Sequence, residues 1–315
     1  MTRSVKTPEP SSLLQFCTKL SYRTLPPAAR VVSRLLIDYR EQSPVPPRDP
    51  LTLPDISVVI PAHNEAVRIL PYLHAITSHL QRRRQTYEVL VIDDGSTDTT
   101  ATVVTSFARA APDVRLIQLP SCRGKGAAVR QGMQSAVGHL QLFADADGAT
   151  PIQELDRLEK AIADGADLAI GSRTLASRLP GFTVQARLYR TLLGMLFHAA
   201  VRQSGIREIA DTQCGFKLFR RNVAQDLFSA SSIEGYGFDL EILYVAQRRG
   251  YRIVEVPVNW ADQPGSKVCI LRDGLAMLRE LAIIRQNGIN GLYDTRPVPQ
   301  PIPSVTVEQL DLPPR

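Results

Sequence analysis

The sequence has few cysteines and no long apolar run, and both absences exclude classes of protein. Its four cysteines are far apart in the chain, at Cys17, Cys122, Cys214 and Cys269. Neither a disulfide framework nor a Cys-x-x-Cys metal site is therefore predicted. No run of about 18 apolar residues is present, so no segment is predicted to span a bilayer. A signal-peptide pattern is also missing. These absences favour a reducing compartment, and we expect a cytoplasmic protein.

Positive charge is present but not concentrated. The net charge is +6, and the one dense basic run is Arg82, Arg83 and Arg84. Such a run is typical of a helix end, where cations meet the negative pole of the helix dipole. Nucleic acid is therefore not an expected partner.

Proline is unevenly distributed, and its distribution predicts the domain limits. Of the 23 prolines, nine lie in residues 1–54 and six in residues 293–315. Such a density is unsuited to a packed core. We therefore predict a Pro-rich basic N-terminal arm at 1–54, one catalytic domain at 55–292 and a disordered Pro-rich tail at 293–315. The arm carries eight Lys and Arg against four Asp and Glu, which makes it a candidate contact with a membrane surface.

Between these limits, apolar runs alternate with helical patterns. The predicted strands are 56–62, 88–95, 114–120, 139–144 and 167–173. The predicted helices are 65–82, 98–110 and 124–136, with a further helix before the last strand. This alternation predicts an α/β fold, a single Rossmann-like domain whose mostly parallel central sheet has helices on both faces.

Polar residues follow five of these strands, and in open α/β sheets ligands bind at the carboxyl ends of the strands. Helix capping explains part of the pattern, but not two acidic pairs together with Lys and Arg. A shared site for an anionic ligand is therefore predicted. It would be formed by His63, Asn64, Glu65, Asp93, Asp94, Arg123, Lys125, Asp145, Asp147, Ser172 and Arg173.

The most informative segment is FADADGATP at 143–151, where an apolar run ends in Asp145 and Asp147. Residues two apart in a strand point to the same side, so two acids at a strand end can converge on one cation. Paired carboxylates together with substrate phosphates are a usual way to hold Mg²⁺ or Mn²⁺. An isolated Asp-x-Asp more often opens a solvated loop, but the neighbouring polar strand ends favour a metal site here.

Several segments, taken in order, resemble glycosyltransferase family 2, the inverting nucleotide-sugar transferases with a single GT-A domain. The first half carries PAHNE (61–65), DDGSTD (93–98) and DADG (145–148). The second half is similar to the dolichyl-phosphate β-glucosyltransferase branch. Its matching segments are GSR (171–173), DTQCGFKLF (211–219), GFDLEILYVAQ (237–247), and EVPVNW followed by GSK (255–267).

The resemblance implies how the nucleotide would be bound. One of the acids Asp93 and Asp94 would accept a hydrogen bond from the uracil ring, and the choice between them stays open. Lys125 would meet phosphate or ribose oxygens at a helix start, which suits an anion. The nucleoside pocket would be lined by Pro61, Ala62, Asn64 and Glu65.

The resemblance also implies the metal site. Asp145 and Asp147 would hold a Mg²⁺ or Mn²⁺ that bridges the diphosphate of a UDP-sugar, with UDP-glucose favoured. The related polyprenyl-phosphate mannose synthases have DADLQ at this place, with the glutamine as a further ligand. This chain has Ala149 there, which offers no ligand atom, so a third protein ligand is not assigned.

On the acceptor side, the resemblance places DTQCGFKLF beside the donor sugar and the acceptor. Asp239 and Glu241 lie two residues apart, and either could orient the sugar or act as a base. For Glu241, stabilising a helix start is an equally supported alternative. Cys214 is interpreted as a packed residue. The candidate catalytic residues are therefore Asp145, Asp147, Arg173, Asp211, Gln213 and Asp239.

A phosphate acceptor would need cations more than a base. A phosphate monoester carries about −1.5 to −2 charges at pH 7, and arginine binds phosphate in a bidentate manner. The segments 183–204 and 268–286 combine apolar residues with arginine, as membrane-interfacial helices do, although core packing is the alternative. The candidate acceptor-phosphate residues are Arg173, Arg187, Arg190 and Lys267. For Arg187 and Arg190, a solvated helix face is the alternative.

The leading hypothesis is an inverting transferase that moves glucose from UDP-glucose to polyprenyl or dolichyl phosphate, peripherally bound to the cytoplasmic face of a membrane. One alternative is an inverting transferase for a glycan or another hydroxyl acceptor, with Asp239 as base. A second alternative is a catalytically inactive sugar-nucleotide-binding protein. The oligomeric state stays open.

Overall fold

Seven strands form one central sheet in the computed structural model, which describes residues 52–185, 205–206, 208–263 and 270–294. The strand order is β3-β2-β1-β4-β7-β5-β8, and a separate pair of short parallel strands, β6 and β9, adjoins it. Helices pack against both faces of the sheet. The α/β fold with a mostly parallel central sheet, predicted from the sequence, is confirmed.

The elements follow the chain in a regular alternation up to β5. They are β1 (Ile56–Ala62), α1 (Ile69–Arg82), β2 (Tyr87–Asp93), α2 (Thr100–Ala108), β3 (Val114–Gln118), α3 (Lys125–Ser135), β4 (Leu140–Ala144), a 3₁₀ turn (Ile152–Glu154), α4 (Leu155–Ala163), β5 (Leu168–Ser172), α5 (Arg173–Ala176), β6 (Val184–Gln185), β7 (Phe216–Arg220), α6 (Arg221–Ala230), α7 (Phe238–Arg248), β8 (Ile253–Pro257), β9 (Trp260–Ala261) and α8 (Ile270–Ile289).

The five predicted strands are all present, and their ends lie within two residues of the predicted ends. The first helix begins later than predicted, at Ile69 rather than residue 65. Asn64 has a φ of 55°, in the left-handed region, and residues 66–68 form a turn in which the Arg68 N–H donates to the Glu65 carbonyl at 3.0 Å. The chain therefore turns at 64–68 before α1 begins.

One strand of the sheet runs against the others, and it determines what reaches the site. β7 pairs antiparallel with both β4 and β5, whereas the other strand pairs of this sheet are parallel. Ala144, at the carboxyl end of β4, lies opposite Phe216, at the amino end of β7. The segment that precedes β7 is therefore delivered to the same edge as the polar residues that follow β1, β2 and β4.

Apolar side chains fill two cores, one on each face of the sheet. Along β1, Val58 and Ile60 face one core and Val59 the other, and all three are fully buried. Such burial contributes about 1.5–3 kcal/mol per side chain. Strands that are apolar on both faces are typical of a parallel sheet that is covered by helices on both sides.

The folded region reaches at least Asp294, beyond the limit predicted at residue 292. Tyr293 is buried, and its hydroxyl donates to Glu241 Oε1 at 2.7 Å. Asp294 forms an ion pair with Arg248. Residues 1–51 and 295–315, which hold most of the predicted arm and tail, lie outside the described residues. No helix in the described ranges combines the length and the apolar character that crossing a bilayer requires.

Glu241 holds the loop before α7 in place. Its carboxylate is fully buried and accepts hydrogen bonds from the backbone N–H groups of Ser232 and Ile233, the Ser232 hydroxyl and the Tyr293 hydroxyl. Of the two roles left open for Glu241, these contacts support the structural one.

Replacing Glu241 with alanine should lower the free energy of unfolding by about 2–4 kcal/mol, because buried donors are left unsatisfied. Urea denaturation followed by circular dichroism measures the change. Asp164→Ala is the matched control, since Asp164 pairs with Lys160 on the exposed surface and should change stability by about 0.5 kcal/mol or less. Equal losses in the two variants would contradict the structural role.

Candidate active site

The loops that follow β1 and β2 brace each other at the carboxyl edge of the sheet. Asn64 Oδ1 accepts the backbone N–H groups of Thr97 and Asp98 at 2.7 and 3.1 Å, and its own N–H donates to Ser96 Oγ at 2.8 Å. Asparagine tolerates the left-handed backbone that this position needs. Asn64, predicted to line the nucleoside pocket, thus also determines how the two loops lie.

Two other residues predicted for that pocket are buried in β1. Pro61 and Ala62 lie at the end of the strand, opposite Ile92 and Asp93 of β2. The Ala62 carbonyl accepts the Asp94 N–H at 2.8 Å. These two residues form the wall behind the loops.

Asp93 and Asp94 are nearly inaccessible and already accept hydrogen bonds. Asp94 accepts the backbone N–H groups of Arg123 and Gly124, both at 2.8 Å. Asp93 accepts the Ser96 N–H at 3.0 Å and the Gln118 side chain at 3.3 Å. A nucleobase that contacts either carboxylate would share oxygens with these donors. The two acids therefore order the loops around the predicted base site.

His63, Asp94 and Cys122 form a second group of potential ligands, with ligand atoms within 4.8 Å of one another. It is the one cluster of three or more His, Cys, Asp or Glu ligands found among the described residues. His63 Nδ1 lies 2.8 Å from the Asp94 carbonyl oxygen, and the Asp94 carboxylate is engaged with the loop before α3. We assign this cluster to loop bracing.

A backbone carbonyl group from a distant loop accepts hydrogen bonds from amides at the start of α3. The N–H groups of Gly126 and Ala127 donate to the Glu234 carbonyl oxygen at 2.7 and 3.2 Å. A Cβ at Gly126 would lie 2.5 Å from the Ile233 carbonyl oxygen, so only glycine allows this approach. These two amides are therefore occupied in this structure, and the contact of Lys125 with phosphate or ribose oxygens stays a prediction.

Lys125 instead turns its side chain to the acidic pair. Its Nζ lies 2.7 Å from Asp145 Oδ1. Burial would lower the pKa of Lys125, but the neighbouring Asp145 and Asp239 carboxylates outweigh it and raise this pKa. The lysine is therefore firmly charged.

The two acids after β4 lie within range of each other's charge. The Asp145 N–H donates to the Gly215 carbonyl at 3.0 Å, and Asp147 Oδ1 accepts the Ala149 N–H at 3.0 Å. Burial, and secondly the Asp145 charge, raise the pKa of Asp147. Arg68 Nη1 lies 3.7 Å from Asp147 Oδ2. Two crowded carboxylates among cations offer only oxygen ligands, which suits Mg²⁺ or Mn²⁺.

Asp145 lies directly over Gly215. A Cβ at residue 215 would lie 1.9 Å from Asp145 Oδ2, which no side chain can accommodate. The neighbouring Cys214 is fully buried, and burial raises the pKa of its thiol to about 12. Such a thiol is not a nucleophile at neutral pH, which supports its interpretation as a packed residue.

Lys217 and Asp239 form a buried ion pair beneath the acidic pair. Lys217 Nζ lies 2.5 Å from Asp239 Oδ1 and donates to the Cys214 carbonyl at 2.7 Å. The two side chains are only 1% and 5% exposed. Burial raises the pKa of Asp239 and Lys217 opposes this effect. Asp239, the candidate base, thus faces an internal lysine rather than an open cleft.

Arg173 and Asp211 form a second closed pair. Arg173 Nε and Nη2 donate to the two carboxylate oxygens of Asp211, each at 2.7 Å, and its guanidinium lies over the Trp260 ring at 5.4 Å. Burial would raise the pKa of Asp211, but the Arg173 charge and hydrogen bonds outweigh it and lower this pKa. Asp211 is therefore an anion that orients Arg173, and Nη1 makes none of the hydrogen bonds between these two residues.

The remaining predicted residues divide into two groups. Gln213 Nε2 donates to Met277 Sδ at 2.8 Å, which ties the segment before β7 to α8. Glu65 accepts hydrogen bonds from the Arg68 guanidinium at 2.7 and 2.5 Å. Three predicted acceptor-phosphate residues lie outside the described residues: Arg187, Arg190 and Lys267.

The structure adds residues to which sequence reasoning gave no role. Arg68 lies three residues after Glu65, and that spacing alone could have suggested their pairing. Lys217 stands in the apolar strand FKLF, where a lysine is rare unless it is paired. No local signal marks the Glu234 carbonyl or Trp260, because their roles depend on contacts with distant segments.

Comparison with known proteins agrees with the fold and the motifs. A sequence model described as Glycosyl transferase family 2 matches residues 57–228. The dolichyl-phosphate beta-glucosyltransferase of Drosophila melanogaster is 40% identical over 244 residues, 73% of this chain and 74% of the fly protein. The Homo sapiens protein of that name is 38% identical over 249 residues, 76% of this chain and 77% of its own length. The Saccharomyces cerevisiae protein is 37% identical over 255 residues, 76% of each chain.

Solved structures of low identity share the fold. Glucosyl-3-phosphoglycerate synthase from Mycobacterium tuberculosis in complex with UDP has a TM-score of 0.56 at 21% identity, covering 74% of this chain and 79% of its own. Its complex with Mn²⁺, UDP-glucose and phosphoglyceric acid has a TM-score of 0.54 with the same identity and coverage.

The fold and the motifs at its edge define an α/β glycosyltransferase with the GT-A fold. The chain belongs to glycosyl transferase family 2, in the branch that contains the dolichyl-phosphate β-glucosyltransferases. The resemblance stated from the motifs is thereby confirmed.

Gly215→Ala should lower the rate of glycosyl transfer by at least about 100-fold, because Asp145 must move by about an ångström or more to admit the Cβ. Gly274→Ala is the matched control, since nothing lies within 4 Å of the Cβ it would gain. Initial rates and thermal melting are measured for both variants. Full activity of Gly215→Ala with an unchanged melting temperature would show that the position of Asp145 is unimportant.

Proposed function

We propose that this enzyme transfers glucose from UDP-glucose to dolichyl or polyprenyl phosphate with inversion, at the cytoplasmic surface of a membrane. One observation carries the proposal. An acidic pair, Asp145 and Asp147, and a carboxylate-oriented cation, Arg173, lie along one sheet edge in a chain whose relatives are named dolichyl-phosphate β-glucosyltransferases. The donor and the acceptor of that reaction both carry phosphate, and each needs positive charge.

On the donor side, Asp145 and Asp147 would hold Mg²⁺ or Mn²⁺ against the diphosphate, with water or phosphate oxygens completing the ligand set. When bound, the cation would stabilise the charge that develops on the leaving UDP. Lys125, whose Nζ lies 2.7 Å from Asp145 Oδ1, would contact the same diphosphate. The braced loops that carry Asn64, Asp93 and Asp94 would enclose the uridine.

On the acceptor side, a phosphate monoester is already ionised and needs positioning rather than deprotonation. Arg173 is oriented by Asp211 through two hydrogen bonds, so its remaining Nη1 points in a defined direction. Guanidinium groups suit phosphate oxygens. Asp211 would therefore act through Arg173, and Gln213 would help to hold the same segment against α8.

The closed Lys217–Asp239 pair supports a phosphate acceptor over a hydroxyl acceptor. A hydroxyl acceptor needs a general base within hydrogen-bond reach of its proton. Asp239 is bound to Lys217 and nearly inaccessible, so that role would require the pair to open. No nucleophile for a two-step reaction is offered by Cys214, whose thiol is buried, and a single displacement inverts the anomeric carbon.

The test is transfer of radiolabelled sugar from a panel of nucleotide sugars to dolichyl phosphate, dolichol and a soluble glycan. We expect transfer from UDP-glucose to dolichyl phosphate, none to dolichol, and loss of transfer in EDTA and in Asp147→Ala. The product anomer, determined by NMR, should be β.

Three results would sink the proposal. Equal transfer to dolichol would favour the hydroxyl-acceptor alternative, with Asp239 freed to act as base. Activity that persists in EDTA would remove the metal from the reaction. UDP-glucose binding without transfer to any acceptor or to water would favour the inactive sugar-nucleotide-binding alternative.

α8 supports the membrane part of the proposal. Its inner side packs on the core through Leu281 and Ile284, while Leu275 and Ile289 are 65% and 70% exposed. Seven large apolar residues among the described ones are exposed. Five of them lie on or just after α8, namely Leu275, Leu278, Ile283, Ile289 and Leu292. The exposed Arg279 and Arg285 accompany them, a combination suited to the headgroup boundary.

Leu275→Ser should weaken partition of the protein into anionic vesicles by about tenfold, because burying one leucine contributes about 1.5–3 kcal/mol. Vesicle flotation measures the change, and UDP binding in solution should stay constant. Val67→Ser is the matched control, since Val67 is 89% exposed but lies outside α8. Similar losses in both variants, or none in Leu275→Ser, would exclude this surface from membrane contact.

A further inference from the structure

The two acids of the proposed metal site each have a cation of the protein beside them. Lys125 Nζ lies 2.7 Å from Asp145 Oδ1, and Arg68 Nη1 lies 3.7 Å from Asp147 Oδ2. Arg68 also pairs with Glu65, so its charge is shared. The acidic pair is therefore neutralised mainly by Lys125 and only in part by Arg68.

This charge balance affects which ligands can enter. A divalent cation alone would meet Asp145 while Lys125 still occupies one of its oxygens, and two positive species would share one carboxylate. A UDP-sugar alone would meet the charge of Asp147, which Arg68 compensates only in part. If both ligands enter together, the diphosphate, with one negative charge on each phosphate, provides a new partner for the lysine.

We propose that Lys125 is an internal counter-ion that competes with the metal for Asp145 and is released to the diphosphate when metal and nucleotide bind together. Metal and nucleotide then bind interdependently, each weakly without the other. The inference rests on the proposed function, because it takes Asp145 and Asp147 as the metal ligands.

The environment of Lys125 suits such an exchange. Its side chain is 23% exposed and its Nζ lies 5.4 Å from the centroid of the Phe143 ring, with no second carboxylate bound at hydrogen-bond distance among the described residues. Lysine has a long flexible stem with a compact charge. Its backbone is fixed, because the next two amides donate to the Glu234 carbonyl. The ammonium group can thus move while its anchor stays in place.

The neighbouring lysine cannot make the same exchange. Lys217 is 1% exposed and is held by both Asp239 and the Cys214 carbonyl. Moving it would leave a buried carboxylate unpaired, which is strongly unfavourable. Lys217 is therefore a fixed charge that balances Asp239, and Lys125 is the mobile one.

The experiment is a Mn²⁺ titration followed by the electron paramagnetic resonance signal of free Mn²⁺, with and without UDP. The wild type should bind Mn²⁺ weakly alone and more tightly with UDP. Lys125→Met should bind Mn²⁺ alone about tenfold more tightly, because a competing state is removed. Its UDP affinity in Mn²⁺ should fall about 10- to 100-fold, since a charged phosphate contact is lost. The gain in Mn²⁺ affinity upon adding UDP should shrink.

Two controls separate the exchange from general charge effects. Lys125→Arg keeps the cation and should retain weak binding of Mn²⁺ alone. Lys160→Met removes the same charge from an exposed helix position, where Lys160 pairs with Asp164, and should match the wild type. Thermal melting checks that each variant is folded, and added Mn²⁺ should raise the melting temperature of Lys125→Met more than that of the wild type.

The outcomes distinguish the two proposals. If the wild type binds Mn²⁺ with UDP but Lys125→Met binds Mn²⁺ alone no more tightly than the wild type does, the counter-ion role is wrong and the metal site stands. If Mn²⁺ binds none of the proteins under any condition, the metal site and the counter-ion role both fall. An equal increase in Mn²⁺ affinity in Lys160→Met and in Lys125→Met would show that the effect comes from net charge alone, and the counter-ion role would be wrong.

Discussion

The repulsion between two carboxylates at the end of one strand is the constraint on which this site depends. Burial, and secondly the charge of Asp145, raise the pKa of Asp147 and so disfavour its ionisation. Positive groups from two other parts of the chain, Lys125 at the start of α3 and Arg68 before α1, compensate for that charge. The charges of this site are thus balanced by the protein itself, and under the proposed function they would be redistributed when a divalent cation binds.

The antiparallel strand β7 determines the second half of the site. Because β7 runs against β4 and β5, the segment before it lies at the carboxyl edge, where the acidic pair already is. Gly215 then passes beneath Asp145, and Asp211 reaches Arg173 at the end of β5. Lys217 pins the strand to α7 through Asp239. A parallel strand in this place would deliver its carboxyl end to the edge instead.

Much of the fold, and the acidic centre of the site, could be predicted from the sequence, because both depend on local patterns. Apolar runs such as 56–62 give buried strands, and Asp145 and Asp147 follow such a run at a spacing that places them together. The partners of these residues could not be predicted, since they come from remote segments. Nothing near Asp239 in the sequence indicates that Lys217 will neutralise it. The helix start at Lys125 looks open until the Glu234 carbonyl is seen to occupy its first amides.

The Glu234 carbonyl also connects two parts of the site. It joins the start of α3, which carries Lys125, to the loop that leads into α7, which carries Asp239. The loop is held in turn by Glu241 and by Glu280 of α8, which accepts the Gly237 N–H. The start of α3 and the loop before α7 are therefore joined by hydrogen bonds rather than by a flexible linker. Under the proposed function, this connection predicts that binding of one substrate would change the Michaelis constant of the other.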